Sequence, residues 1–390
     1  MVNAQSAEVA EIIKAVRNFV RDHVVPLEAK IEADDDIPSQ LRRSCAEMGL
    51  FGTAIPEEYG GLGADVETEV LLAFELGWTT PALRAMFGIN NGIAGEVLVS
   101  AGSEGQRSTW LPRLASGEAI ASFALTESEA GSDPSTMKTS ARRDGNDWII
   151  DGAKRFITNA PYADIFVVFA RTDPKKPADQ GISAFLVPKE TRGLQIGPRD
   201  EKMGQAGEVT APVYLDGVRV PATAMIGGEG QGYAAAMRSL GPGRIRIAAL
   251  CVGMAERLLD ESLAYATTHH QSGRPIAEFQ LIQAMLADSQ TDVYAGRALA
   301  LETARAFDAG VDRRTGPSVA KYFCSEMVGR VADRAVQIHG GTGYMKGVTV
   351  ERLYRDARVF RLYEGTSQIQ QLIIAGQSLR QYRQRAGMPS

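Results

Sequence analysis

The chain has 390 residues, 44% of them hydrophobic and 23% charged, which describes a folded protein of two or three packed parts and argues against disorder. With 47 Asp and Glu against 42 Lys and Arg the formal net charge is −5, and no dense basic run offers a footprint for a nucleic-acid backbone. Three distant cysteines, Cys45, Cys251 and Cys324, have no metal-type spacing and fit reduced thiols in a cytoplasmic compartment.

From the N-terminus, "MVNAQSAEVAEIIKAV" lacks the charged-then-apolar pattern of a signal peptide, and no apolar run reaches the ~20 residues of a membrane span, so no membrane insertion is expected. The stretches "AEVAEIIKAVRNFVRDHVVPLEAKIEA", "PSQLRRSCAEMGL" and "ETEVLLAFELGW" place apolar residues at three- and four-residue spacing and predict helices. Near residue 120 the texture changes to short β-branched and aromatic runs, "DWIIDGAKRFITNA", "DIFVVFARTD", "GISAFLVP", "GLQIGP" and "APVYLDGVRVP", divided by Gly, Pro and Asp. After "GGEGQG" helical spacing returns and persists almost to the end. The expected class is therefore α+β with three parts: helical over 1–119, β over 120–228 and helical over 229–390.

Several local patterns carry possible chemistry. "GGEGQG" and "GGTGYMKG" have the wrong spacing for a dinucleotide fingerprint and read as turns. His269 and His270 are adjacent, so on a helix they point about a quarter-turn apart and do not chelate one metal; no metal site is expected. No nucleophile elbow with Ser, His and acid is present. "FALTESEAGSD" runs from an apolar strand into a small-residue turn with Thr126 and Ser132, which offers amides and hydroxyls to an anionic or carbonyl-rich ligand or is an ordinary strand exit. In "RLYEGTSQIQ", Glu364 is a desolvated general base or a plain acid at a helix start; the residues alone leave both open.

Taken in order, "EEYGGLG", "WLPRLASGEAIASFALTESEAGSD", "GAKRFITNA", "GRPIAEFQLIQAMLAD", "QIHGGTGY" and "RDARVFRLYEGTSQIQ" resemble the acyl-CoA dehydrogenase family over nearly the whole chain. The resemblance implies an N-terminal helical domain, a middle β-barrel and a C-terminal four-helix bundle, assembled as a homotetramer. It also implies FAD-dependent oxidation of an acyl-CoA thioester to the trans-2-enoyl form. Glu364 matches the base that takes the α-proton while the β-hydrogen leaves as hydride to flavin N5, and electrons pass to an electron-transferring flavoprotein. Phe123, Leu125, Thr126, Phe156 and Thr158 match strand contacts to the flavin, and Ser132 a position shared by cofactor and CoA. His269, Gln280, Gln337, Gly340 and Gly341 match contacts to a neighbouring subunit's FAD, and Thr366 and Gln368 contacts beside the base. Arg244 and Gly365 match positions on the substrate side.

The sequence departs from the family pattern at "THHQSGRP", where His269 stands at an arginine position and Ser272 at a phenylalanine position. A neutral histidine gives up a bidentate, charge-assisted contact to pyrophosphate. Same-fold alternatives are an acyl-CoA oxidase, a dehydrogenase of carrier-protein thioesters, and a cofactor-poor partner subunit of a hetero-oligomer.

Overall fold

A computed structural model describes residues 7–388; the first six residues, part of the N-terminus read above as leaderless, lie outside the described residues. The helical first part comprises α1 (Ala7–Phe19), α2 (Glu28–Asp34), α3 (Ser39–Glu47), α4 (Val66–Gly77), α5 (Pro81–Asn91), α6 (Ile93–Ala101) and α7 (Glu104–Ala115). Sequence spacing predicts one continuous helix across the first two. The chain instead passes through a π turn (Val20–Val24) and a 3₁₀ turn (Val25–Leu27), because Pro26 has no N–H to give to the preceding turn. Helix starts follow their caps: Asp65 accepts the Thr68 amide, and Ser103 and Gln106 form a reciprocal capping box.

The middle part contains β1 (Ala121–Ala124), β2 (Ser140–Asp144), β3 (Asp147–Thr158), β4 (Ile165–Arg171), a single helical turn α8 (Ala178–Gly181), β5 (Ile182–Pro188), β6 (Leu194–Ile196), β7 (Thr210–Pro221) and β8 (Met225–Ile226). Pairing runs β6-β7-β3-β2-β4-β5-β8, with β1 joining the first half of β4 in parallel. The end strands, three and two residues long, are not paired with one another among the described residues. The middle part is therefore an open eight-stranded sheet, where the resemblance implied a closed β-barrel. "IFVVFA" is apolar throughout because β4 feeds two cores. Ile165, Val167 and Phe169 pack with Val97, Leu98 and Leu111 of α6 and α7, while Phe166, Val168 and Ala170 pack with Trp148, Val213 and Val220 of the sheet itself.

The last part holds α9 (Gly232–Thr268), a two-residue hairpin β9 (His270–Gln271) and β10 (Arg274–Pro275), α10 (Gln280–Asp308), α11 (Thr315–His339), α12 (Thr349–Ala357) and α13 (Ser367–Arg385). Helices α9, α10, α11 and α13 pack side by side as the expected bundle. Its core is continuous with that of the first part: Val70, Leu72 and Phe74 of α4 share one cluster with Leu250, Val252 and Met254 of α9. That crossing is close enough to demand glycine, since a Cβ on Gly253 would stand 2.1 Å from the Phe74 carbonyl oxygen. Two buried ion pairs pin the same seam, Arg246 to Glu69 and Arg352 to Glu28.

Candidate active site

Glu364 lies two residues before the N-cap of α13, where Thr366 accepts the Ile369 amide at 3.2 Å. Its backbone is left-handed, φ +51°, and Gly365 follows at φ +91°. A non-glycine residue in that region costs about 1–3 kcal/mol and persists where its surroundings enforce it. Three contacts do so here. The Lys321 Nζ of α11 donates to the Gly365 carbonyl at 2.7 Å, and the Gln370 Nε2 donates to the carbonyls of Glu364 and Gly365, both at 3.1 Å. Downstream, Ser367 Oγ donates to Glu326 of α11 at 2.5 Å, and Arg361 donates to the same carboxylate.

The strained turn carries the Glu364 side chain inward onto α9. A Cβ on Gly243 would meet Glu364 Oε2 at 2.6 Å, so the helix is bare where the carboxyl lies against it. Oε2 is buried and has no hydrogen-bond partner among the described residues. The Oε2 atom is thus shielded from water, while the residue as a whole is half-buried. Burial pushes the Glu364 carboxyl above its ordinary range, while Arg84, Lys321, Arg244 and Arg246 pull it back. Arg246 is spoken for by Glu69, its Nε 2.8 Å from Oε2. Arg84 of α5 lies beside Gly88, whose missing Cβ leaves room for its guanidinium. Tyr363 is enclosed as well, and burial raises its hydroxyl well above the usual value.

The sheet edge gathers a second group. Ser122 Oγ donates to the Thr158 carbonyl at 2.7 Å, Arg155 N to the Thr126 carbonyl at 2.9 Å, and Lys154 Nζ to the Leu125 carbonyl at 3.2 Å, so β1 and β3 bring Phe123, Leu125, Thr126, Phe156 and Thr158 together. Phe156, at φ +57°, is 61% exposed with Arg155 over its ring, an apolar face left open beside Phe123. Glu208, in the connection between β6 and β7, is buried near Arg84, Tyr363 and Thr158, and burial pushes its carboxyl up to about 6. Ser132 is exposed in the turn after β1, beside Asp133, which caps Ser135.

A third group sits at the other end of the bundle. His269 closes α9 in extended conformation and His270 belongs to β9, so the pair is not on a helix as the sequence spacing assumed: α9 stops at Thr268, short of both. Tyr265 is sandwiched between His269, ring centroids 4.7 Å apart, and His339, 4.2 Å. His339 Nδ1 lies 2.8 Å from the Ala335 carbonyl, and burial lowers its basicity. Gln280, Gln337, Gly340 and Gly341 nearby are exposed, and a Cβ on either glycine would touch nothing. Lys321 and His339 stand 18 positions apart along α11, about 27 Å of helix, so this group is remote from Glu364 in the same chain. The predicted residues thus form three groups; Thr366, the N-cap of α13, belongs to the first, and Gln368 is exposed in the first turn of that helix.

Sequence reading missed Arg84, Glu208 and Lys321. One signal was present: Lys321 falls with Ser318, Cys324, Ser325 and Val328 on the buried stripe of α11, where a charge demands a partner. Among the described residues no group of three His, Cys, Asp or Glu is placed to hold a metal, the three cysteines are buried and free, and no helix is long and apolar enough to cross a membrane.

A carboxyl oxygen shielded from water among several cations, with an exposed aromatic ring at the nearby end of the sheet, suits proton transfer on a bound organic molecule. Residues 6–118 match the acyl-CoA dehydrogenase N-terminal domain, 122–218 its middle domain and 230–379 its C-terminal domain. The chain is 40% identical over 362 residues to an acyl-CoA dehydrogenase of Bacillus subtilis, covering 93% of this chain and 95% of the relative. It is 37% identical over 369 residues to the 3-(aryl)acrylate reductase of Clostridium sporogenes, covering 95% and 98%. A chain in the solved structure of the electron transferring flavoprotein of Acidaminococcus fermentans superimposes with a TM-score of 0.93 at 33% identity, covering 96% of this chain and 98% of that one. The protein belongs to the acyl-CoA dehydrogenase family, is an oxidoreductase and uses FAD.

Proposed function

We propose that the protein removes hydrogens from C2 and C3 of an acyl-CoA thioester, with Glu364 as the base that takes the C2 proton. The observation that carries this reading is the Glu364 carboxyl, held inward by a left-handed turn, its Oε2 buried and unpaired over Gly243. An acceptor atom kept dry and without a donor is available to a substrate proton, and desolvation raises its affinity for that proton. The charges of Arg84, Arg244 and Arg246 work against that rise.

The open faces of Phe123 and Phe156, with Leu125, Thr126 and Thr158, fit an aromatic cofactor ring, and Ser132 in the exposed turn fits its phosphates or those of CoA. Bound FAD supplies the two-electron acceptor for the C3 hydrogen. The exposed group of His269, Gln280, Gln337, Gly340 and Gly341, remote from Glu364, suits contact with the cofactor of a second copy, as in a homotetramer. At Gly365 a Cβ would stand 2.5 Å from Gln370 Nε2, so the glycine lets that amide close on the turn of the base, and Arg244 supplies charge on the substrate side. An electron-transferring flavoprotein is the proposed acceptor, in keeping with the solved structure that the chain matches.

The relative named for reduction of an acrylate supports a second reading, in which the same groups add hydrogens across a C2–C3 double bond. Anaerobic mixing with saturated acyl-CoA thioesters of graded length tests both. Flavin bleaching without added reductant is expected; bleaching by none of them, with enoyl thioesters reoxidising reduced flavin, would select the second reading. Hydrogen peroxide release in air without another acceptor would point to an oxidase.

A further inference from the structure

Lys321 is an ionisable group at the centre of the molecule that the proposed chemistry does not use. Its side chain is 0% exposed, yet it extends from α11 to the turn that carries Glu364 and donates to the Gly365 carbonyl at 2.7 Å. Burying an ammonium is expensive unless an opposite charge and hydrogen bonds compensate. One acceptor carbonyl is a poor return for that cost. A negative charge close by is needed, and the Glu364 carboxylate is one that this ammonium faces.

The surroundings single Lys321 out. From α5, Arg84 faces Glu364; from α9, Arg244 and Arg246; on its own segment, Tyr363. Glu208, from the β6–β7 connection, faces Arg84 and Tyr363, while Cys251 of α9 and Glu326 of α11 face Lys321. Arg246 is neutralised by Glu69, and Glu326 is engaged by Arg361 and Ser367. Among these cations, Lys321 has a hydrogen bond to the backbone of the strained turn, where the other side-chain donor among the described residues is the neutral Gln370. One group thereby acts on both the position and the charge of Glu364.

We propose that Lys321 is a positioning residue for the base: through the Gly365 carbonyl it holds the left-handed Glu364–Gly365 turn, and through its charge it keeps the Glu364 carboxylate ionised and able to accept a proton. The inference rests on Glu364 being the base. Supporting it, Lys321 attracts the carboxylate form of Glu364, while burial lowers the ammonium to about 8. Loss of the Lys321 proton would then remove the field and weaken the bond to the turn, which the neutral amine can still donate, so the active window is bounded by Glu364 on the acid side and Lys321 on the alkaline side.

The test compares Lys321→Met, which removes donor and charge, with Lys321→Gln, which keeps a donor, in FAD-loaded protein. The pH dependence of anaerobic flavin bleaching by butanoyl-CoA is recorded beside that of wild type and Glu364→Gln. Expected is an acid limb moved up by about one pH unit in both variants, the scale of one close opposite charge. The alkaline limb near 8 should vanish in both, with Lys321→Gln bleaching faster than Lys321→Met because it can still hold the carbonyl. Unmoved limbs with a merely slower rate in both variants would overturn the proposal and leave Lys321 a structural residue. If Lys321→Met does not load FAD, Lys321→Gln alone decides by its limbs. The infrared carboxyl difference between each protein and its Glu364→Gln counterpart, followed with pH, needs no substrate and must show the same upward move; no move contradicts the proposal. Full bleaching by Glu364→Gln would instead sink the base assignment itself, an outcome distinct from unmoved limbs.

Discussion

The two ends of α11 hold their residues in opposite ways. At Lys321 and Glu326 the helix grips the turn of Glu364 with an ammonium, a carboxylate and buried partners, and Gly243 on α9 is cut to fit the carboxyl. At Gln337 to Gly341 it ends in an exposed amide and two glycines on which a Cβ would meet nothing, steadied by a stack of His339 on Tyr265 on His269. The first region is over-determined inside one chain and so can hold strain. In the second, His339 Nδ1 meets the Ala335 carbonyl and His269 Nε2 meets Gln271, while Gln280, Gln337, Gly340 and Gly341 face solvent.

The comparison breaks most decisively at Glu364. Replacing it with Gln keeps size and burial but removes the proton acceptor, so turnover should fall by about 10³-fold with FAD retained. Steady-state rates beside flavin content per chain check this. Next comes Gly243→Ala, whose methyl would fall 2.6 Å from Glu364 Oε2. Displacing the carboxyl should cost about 10²-fold in turnover, with a small change in melting temperature. An unchanged rate would mean that the carboxyl's place on α9 is unimportant.

A third test concerns the buried acid next to this region. The Glu208 carboxyl sits at about 6 in the folded chain against 4.5 unperturbed, so its contribution to stability is complete below about 4.5 and is lost as pH rises through 6. Glu208→Gln stays neutral and should equal wild type at pH 4 but exceed it at pH 8 by about 2 kcal/mol, the worth of a shift of about 1.5 units. Melting temperatures across that range, with Asp356→Asn as the parallel variant, separate Glu208 from Asp356, which is also pushed up to about 6 and whose charge raises Glu208. The smallest effect belongs to the open end. His269→Arg puts a fixed, bidentate charge at this position and should tighten FAD by about 10-fold, read from cofactor release in dilution or mild denaturant. No change would place His269 away from the cofactor.

Much of this molecule is legible from the chain alone, and the limit has a physical form. The order of helices, strands and helices shows in periodicity, because each run buries one face or two. The motifs around Glu364, Phe123 and Phe156 show because they are local. Lys321, Gly243 and Arg84 reach Glu364 only through helix packing, and no short window contains any of them together with it. The open sheet and the early end of α9 were misjudged for a related reason. Strand closure depends on two very short end strands, and the helix end on a hairpin turn at Ser272, φ +52°, and Gly273, φ +80°.

The central claim, that Glu364 takes the C2 proton, is tested most directly by hydrogen exchange at that carbon. Wild-type and Glu364→Gln proteins, each loaded with FAD, are incubated in D₂O with an acyl-CoA that bleaches the wild-type flavin, and deuterium at C2 is measured in the recovered thioester. The account predicts incorporation with wild type and none above background with Glu364→Gln. Equal incorporation by both would contradict it and assign the proton to another group.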